Sequence, residues 1–152
     1  MRTITEEPRS PKRDLAYEFV NASGAKPADN ITIAGGGNLD LLIEFIHRGY
    51  FHVVCQSDHG PHITAQPADI LIAPHLKSKS DFDSIITQLI RDLNPHGVFV
   101  VSCDQGSSFT EWDLRRLLKE KGFRTMRQTN SIKGAGAIFC ARREAASVAR
   151  AA

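Results

Sequence analysis

The apolar positions along the chain follow two periods, and their order predicts strands that alternate with helices. Short apolar runs have the length of buried strands. Other segments place apolar residues every three or four positions, the spacing of one helical face. The predicted strands are residues 31–34, 50–56, 68–76, 98–103, 123–128 and 135–142, and the predicted helices are residues 14–23, 39–48, 82–93 and 111–121.

This order predicts one α/β domain over residues 14–143. We expect a doubly wound, mostly parallel sheet with helices on both faces, and an antiparallel strand pair at its C-terminal edge. Residues 31–34 are expected inside the sheet, between residues 53–56 and 68–73. Residues 1–13 carry two prolines among charges and are predicted to be a loose segment, while residues 144–152 are predicted to be a tail.

A strand, a glycine turn and a helix meet near the start of this domain. Gly35, Gly36 and Gly37 follow the first strand, and a chain without Cβ atoms turns sharply and lets its backbone approach a ligand. Asn38 is a favourable helix N-cap. The apolar residues that share one face of the following helix are Leu39, Leu42, Ile43 and Ile46. In doubly wound sheets, ligands bind at this end of the strands.

The glycine turn does not match the phosphate-binding motifs. Counted from Gly35, Asp40 stands where G-x-G-x-x-G needs its third glycine, and it would repel a pyrophosphate at the helix N-terminus. A nicotinamide-dependent enzyme is therefore disfavoured. The Lys-Ser/Thr pair of a Walker loop is also missing here. A ligand without phosphate suits the turn better, and a turn that only packs the helix onto the sheet is the alternative.

Composition and cysteine content fit one core in a reducing compartment. The 152 residues are 41% hydrophobic and 24% charged, ordinary values for a globular domain. No apolar run approaches the roughly 20 residues of a membrane helix, and the polar start does not resemble a secretory signal. Cys55, Cys103 and Cys140 lack metal-site spacing, so we expect reduced thiols in a cytoplasmic protein. A homo-oligomer is compatible with the sequence.

Charge is distributed unevenly along the chain. Residues 31–114 hold four basic and ten acidic side chains, whereas residues 115–152 hold ten basic and two acidic ones. The basic third suits an acidic partner, protein or nucleic acid. It equally suits a solvated surface whose charges keep an edge strand from aggregating. The basic residues that we expect to share one surface are Arg115, Arg116, Lys119, Lys121, Arg124, Arg127, Lys133, Arg142 and Arg143.

Four segments of residues 30–142 resemble class I S-adenosylmethionine-dependent methyltransferases, in the family's order. The family's first strand and G-x-G turn are similar to ITIAGGGNLD, with Gly35 and Gly37 as the motif glycines. Its fourth strand is similar to ADILIAPHL, and the turn before its fifth strand is similar to LIRDLNPHGVFVVSC. Its last helix and closing strand pair are similar to LLKEKGFRTMRQ with AIFCARR.

The resemblance implies S-adenosylmethionine as cofactor and methyl transfer to a small molecule or an acidic macromolecule. The residues that it assigns to cofactor binding are Gly35, Gly36, Gly37, Asn38 and Gln56. The family usually ends its first two strands with acidic residues, where this chain has Ile33 or Ala34 and Gln56. The elements that help form the adenine pocket are compressed into residues 57–67. We therefore expect a degenerate cofactor site, and a non-catalytic module of the same fold is the alternative.

His75 is the candidate catalytic residue. It follows Pro74 at the predicted carboxyl end of a strand, and imidazole can orient or deprotonate a nitrogen or oxygen nucleophile. A histidine exposed on a loop is the alternative. The spacing C-x3-H-x2-H of Cys55, His59 and His62, with Asp58 between them and His75 further on, lacks a recognised second half. We therefore predict no metal site.

Overall fold

The computed structural model describes residues 15–35, 38–56, 66–103, 109–130 and 136–143, so the predicted N-terminal segment and C-terminal tail lie outside the described residues. The helices within these ranges are α1 (Leu15–Ser23), α2 (Leu39–His47), α3 (Lys79–Leu89) and α4 (Glu111–Glu120). The strands are β1 (Ile31–Ala34), β2 (Val53–Gln56), β3 (Ala68–Leu76), β4 (Leu93–Cys103), β5 (Phe123–Asn130) and β6 (Ala137–Arg143). None of these helices has the length and apolar character needed to cross a membrane.

The strands form one mixed sheet in the order β2-β1-β3-β4-β6-β5. β1 pairs in parallel with both β2 and β3, and β3 pairs in parallel with β4. β6 runs antiparallel between β4 and β5. The predicted fold class is confirmed, including the place of β1 between β2 and β3 and the antiparallel pair at the C-terminal edge.

Each face of the sheet has its own core. Phe19 of α1 and Phe45 of α2 pack on one face, and Phe82 of α3 packs on the other, together with the apolar side of α4. Successive residues of β4 alternate between the two, since Phe99 joins the α3–α4 core and Val100 joins the α1–α2 core. A strand covered on both faces reads as a continuous apolar run, which explains the sequence of β4.

The apolar face predicted for α2 is wrong. The helix turns Leu41 and Phe45 inward, leaves Leu42 half-buried and exposes the other residues of the predicted face. The Glu44 carboxylate accepts the backbone N–H of Ala16 at 3.0 Å, which holds this side of α2 against α1. The residues left in solvent are Leu39, Ile43 and Ile46, with 62%, 41% and 48% of their surface exposed.

β4 begins earlier than the sequence predicts. Residues 94–97, Asn-Pro-His-Gly, have the composition of a turn between the predicted helix and strand, yet they lie within the strand, as extra residues between the pairs Ala68–Leu93 and Ile70–Val98. A Cβ at Gly97 would lie 2.6 Å from Leu93 Cδ1 and 2.9 Å from the Asp69 carbonyl oxygen. Glycine therefore permits the close contact that keeps this irregular segment in the sheet.

Two further element starts differ from the prediction. α3 starts at Lys79 rather than at residue 82, because Ser78 caps it and its hydroxyl accepts the Asp81 N–H at 3.1 Å. β2 starts at Val53 rather than at residue 50 and lies at the sheet edge, so Val54 is 50% exposed. The start of α4 agrees with the prediction, because Thr110 and Asp113 form a capping box before Glu111.

Candidate functional site

The glycine turn joins the carboxyl ends of β1 and β2. Gly35 has φ +101°, a backbone conformation that side chains with a Cβ rarely adopt, and a Cβ there would lie 3.0 Å from Asn38 Nδ2. Its N–H donates to the Gln56 carbonyl oxygen at 2.9 Å. Gly35 therefore places backbone without a side chain at the carboxyl ends of the parallel strands β1 and β2. Gly36 and Gly37, also predicted to bind cofactor, lie outside the described residues.

Asn38 ties the start of α2 to the end of β1. It occupies the predicted N-cap position, but its side chain does not cap the helix. Instead, Asn38 Nδ2 donates to the Ala34 carbonyl oxygen at 2.9 Å. The Asn38 carbonyl accepts the Cys55 thiol at 3.7 Å, and burial raises the pKa of that thiol. The Cys55 thiol, which lines the site beside β2, is therefore protonated and uncharged at pH 7.

Gln56 ends β2 opposite Ala34 of β1 and is 4% exposed. The two strand ends that usually carry acidic residues in the family thus carry an amide and a methyl group here. A neutral amide forms weaker hydrogen bonds than a carboxylate does. Within the described residues, these strand ends present no negative side chain to a ligand. Asp58, two positions beyond Gln56, lies outside the described residues.

His75 lies at a bulge near the end of β3. The pairs Ala73–Val101 and Leu76–Cys103 leave one more residue on β3 than on β4. His75 takes φ +59°, and its N–H donates to Ser102 Oγ at 2.9 Å. Such a conformation persists in a non-glycine residue only where the surroundings hold it. The bulge therefore fixes the backbone of a half-buried histidine at the carboxyl end of β3, on the same side of the sheet as the ends of β1 and β2.

The structure brings the predicted site residues together in part. Gly35, Asn38 and Gln56 belong to one hydrogen-bonded junction. His75 lies near the same carboxyl end of β3, the strand next to β1. Sequence reasoning missed Ser102, which is fully buried and supports the bulge. A hydroxyl inside the apolar run of β4 was the signal that could have found it.

Metal ligands do not gather among the residues that the structure describes. In those ranges, no group of three His, Cys, Asp or Glu side chains is placed to hold a metal ion. His59 and His62, which the sequence analysis considered as ligands, lie outside them. The described residues at this end of the strands supply backbone groups, an amide, a thiol and an imidazole.

No protein-family model and no curated protein matches the chain, whereas solved structures match it in fold. The mitomycin 7-O-methyltransferase MmcR is 15% identical with a TM-score of 0.63, over 84% of this chain and 52% of that one. The glycopeptide N-methyltransferase MtfA, complexed with S-adenosylmethionine, is 11% identical with a TM-score of 0.58, over 86% and 93%. The magnesium protoporphyrin IX methyltransferase ChlM from Synechocystis PCC 6803, with bound S-adenosylmethionine, is 15% identical with a TM-score of 0.61, over 86% and 76%.

These likenesses define the class of fold. The chain has a divergent class I S-adenosylmethionine-dependent methyltransferase fold, as the four sequence motifs indicated. It spans about half the length of MmcR and most of the length of MtfA.

Proposed function

We propose that the protein is an S-adenosylmethionine-dependent methyltransferase-like protein with a degenerate cofactor site. The fold and the glycine turn at Gly35 support the choice of cofactor, and several structures of similar fold hold S-adenosylmethionine or its demethylated product. The observation that carries the degenerate part is Gln56, a buried neutral side chain at a strand end where the family usually has a carboxylate. The substrate is a small molecule or an acidic macromolecule.

The residues present fit the cofactor with reduced strength. The backbone at Gly35 and Asn38 would line it, and the Gln56 amide would bond to its ribose hydroxyls; the bound cofactor supplies a methyl group on a sulfonium. Hydrogen bonds to charged groups contribute about 1.5–3 kcal/mol and neutral ones about 1 kcal/mol. The amide of Gln56 in place of a carboxylate therefore costs roughly 1 kcal/mol, or about fivefold in affinity. The methyl group of Ala34 forms no hydrogen bond, so that position loses the whole charged bond, about 1.5–3 kcal/mol. With both losses, we expect weak binding that does not reach submicromolar affinity.

Calorimetric titration with S-adenosylmethionine and S-adenosylhomocysteine tests this proposal. Weak or absent binding is expected for the wild type, and submicromolar affinity would show that the missing carboxylates matter little. Gln56→Glu restores a carboxylate and should tighten binding about fivefold to tenfold. Gln66→Glu makes the same chemical change at an exposed site at the opposite ends of the strands, and it should leave affinity unchanged. Circular dichroism of the Gln56→Glu variant serves as the control that the protein folds with the buried glutamate.

His75 is the group that we propose to orient or deprotonate the nucleophile if methyl transfer occurs. His75→Asn removes the imidazole and keeps a residue that tolerates positive φ. General acid–base catalysis contributes about 10²- to 10⁴-fold. The rate of S-adenosylhomocysteine formation should therefore fall by at least tenfold, with cofactor affinity unchanged. An unaltered rate would show that His75 has no part in methyl transfer and is only a structural residue of the bulge.

A non-catalytic module of the same fold, a pseudoenzyme that binds a protein or nucleic acid, is the second candidate. The observation that favours it is the exposure of the predicted basic surface. The exposed members are Arg115, Arg116, Lys119, Lys121, Arg124, Arg127 and Arg142; Arg143 is half-buried, and Lys133 lies outside the described residues. Absence of cofactor binding and of methyl transfer would favour this candidate.

We also propose a cytoplasmic location. Cys55, Cys103 and Cys140 are free thiols in the structure, and unpaired cysteines are typical of reducing compartments. Imaging of the tagged protein in its own cells tests this. Recovery in a secreted fraction would contradict it.

A further inference from the structure

A groove of about 540 Å³ lies between α4 and β5, at the opposite edge of the sheet from the glycine turn. Its floor is Phe123, which is 4% exposed. The remaining residues that line it are Trp112, Arg115, Arg116, Lys119, Arg124 and Thr125. The groove thus combines two aromatic side chains, Trp112 and Phe123, with four cationic ones. It belongs to neither the glycine turn nor the His75 bulge.

α4 presents its part of the groove as a single stripe. The stripe starts at Trp112 and continues three, four and seven positions later with Arg115, Arg116 and Lys119. Residues at these spacings lie on one side of a helix. Trp112 is 74% exposed, so its ring contributes little to the core and is available to a ligand. The buried side of the same helix is formed by Leu114, Leu117 and Leu118.

One of the four cations is held in place by the protein. The Arg115 guanidinium donates to Gln128 Oε1 and lies 5.6 Å from the centroid of the Phe139 ring. A side chain that is already ordered loses less conformational entropy on binding. Arg116 forms an exposed pair with Asp113 at 3.5 Å, a weak contact that leaves it available to a ligand. Lys119 and Arg124 are exposed and complete the positive lining of the groove.

We propose that this groove binds single-stranded nucleic acid, with a base stacked on Trp112 and phosphates along the basic stripe. The stripe from Trp112 to Lys119 is about 10.5 Å long, so one short stretch of a single strand can place a base on the ring and phosphates beside the cations. Exposed aromatic rings beside cations are the combination that single strands recognise. A duplex keeps its base faces covered, and an acidic peptide offers Trp112 no base to stack. This inference rests on the second candidate function, for which it names the class of partner, and it does not depend on cofactor binding.

Trp112 makes the test direct, because it is the only tryptophan in the chain. An oligodeoxythymidylate of about twelve nucleotides should quench its emission in a saturable way. Raising salt from about 50 to 200 mM should weaken binding roughly 20- to 50-fold, as expected when three or four phosphates are neutralised. Polyglutamate and a duplex of the same length should bind at least tenfold more weakly. Equal affinity for polyglutamate, or no quenching by the oligonucleotide, would overturn the proposal.

Charge and stacking are separated by variants measured with a fluorescein-labelled oligonucleotide. Lys119→Glu should weaken binding at least fivefold, whereas Lys26→Glu, the same charge change at an exposed residue between α1 and β1, should leave it nearly unchanged. Trp112→Ala should also cost at least fivefold, and Trp112→Phe should recover part of that loss. An equal effect of the two lysine variants, or no effect of Trp112→Ala, would show attraction by net charge alone and overturn the proposal.

Discussion

Ser102→Ala should destabilise the protein through the bulge that holds His75. Ser102 is fully buried, and its Oγ accepts the His75 N–H at 2.9 Å. Alanine removes this acceptor and leaves the backbone N–H of His75 without the hydroxyl to which it donates. An unmet buried group costs about 1–3 kcal/mol. Because His75 is only half-buried, water reaches part of the site, and we expect a loss of about 1–2 kcal/mol in the free energy of unfolding.

Urea denaturation followed by circular dichroism measures this loss. For a chain of this size, about 1–2 kcal/mol corresponds to a fall of roughly 2–8 °C in the melting temperature. The m-value should stay constant, since the surface exposed on unfolding is unchanged. A loss below about 0.3 kcal/mol would refute the reasoning that the buried hydroxyl supports the bulge.

His75→Gly is the matched control for the Ser102 variant. Glycine adopts positive φ without the cost of about 1–2 kcal/mol that a side chain incurs, and part of this gain is offset by its greater freedom in the unfolded chain. We expect a net stabilisation of about 0.5 kcal/mol. Ser102→Ala should cost as much in this background as in the wild type, because the N–H remains. A smaller cost would mean that the hydroxyl supports the imidazole rather than the backbone.

Three further predictions concern α4 and the thiols. Thr110→Ala should cost about 1 kcal/mol, because it removes the hydroxyl that accepts the Asp113 N–H at 3.2 Å; an unchanged urea midpoint would contradict this. The bonds from the Thr110 backbone N–H and hydroxyl lower the pKa of Asp113, so the stabilisation they give is complete above the ordinary value of 3.8 and is lost as pH falls through the lowered one; melting temperatures of wild type and Asp113→Asn should converge in acid. Burial, with Glu111 and Asp113, raises the pKa of Cys103 to about 11, so its contribution to stability is complete below pH 9 and is lost as pH rises through 11. At pH 8, iodoacetamide should therefore modify half-buried Cys55 before Cys103. Mass spectrometry of peptides measures the order, and modification of Cys103 first would contradict the prediction.

The sheet could be predicted from the sequence because its signals are local and repeated. β1 and β4 are short apolar runs bounded by turn residues, and their alternation with helical periods leaves few arrangements. The start of α4 was also predictable, since a capping box needs only Thr110, Asp113 and the residues between them.

The orientation of α2 could not be predicted, because the helix has apolar residues on two sides. Periodicity alone does not choose between Leu39, Ile43 and Ile46 on one side and Leu41 and Phe45 on the other. The choice depends on a contact distant in sequence, between Glu44 and Ala16. The bulge at His75 is similar, since its positive φ depends on how β3 pairs with β4. Tertiary contacts of this kind leave no periodic trace in the chain.

The position of β6 has a consequence for how the chain folds during synthesis. β6 follows every other described strand in sequence, yet it lies between β4 and β5. Until residues 137–143 have left the ribosome, β5 has no strand to pair with, and the largely buried β4 presents an open edge. Such an edge is a template for pairing with other chains, and folding during synthesis begins at the N-terminus. The parallel half of the sheet can therefore form before β6 emerges, whereas the edge that carries the groove can form only once β6 is available.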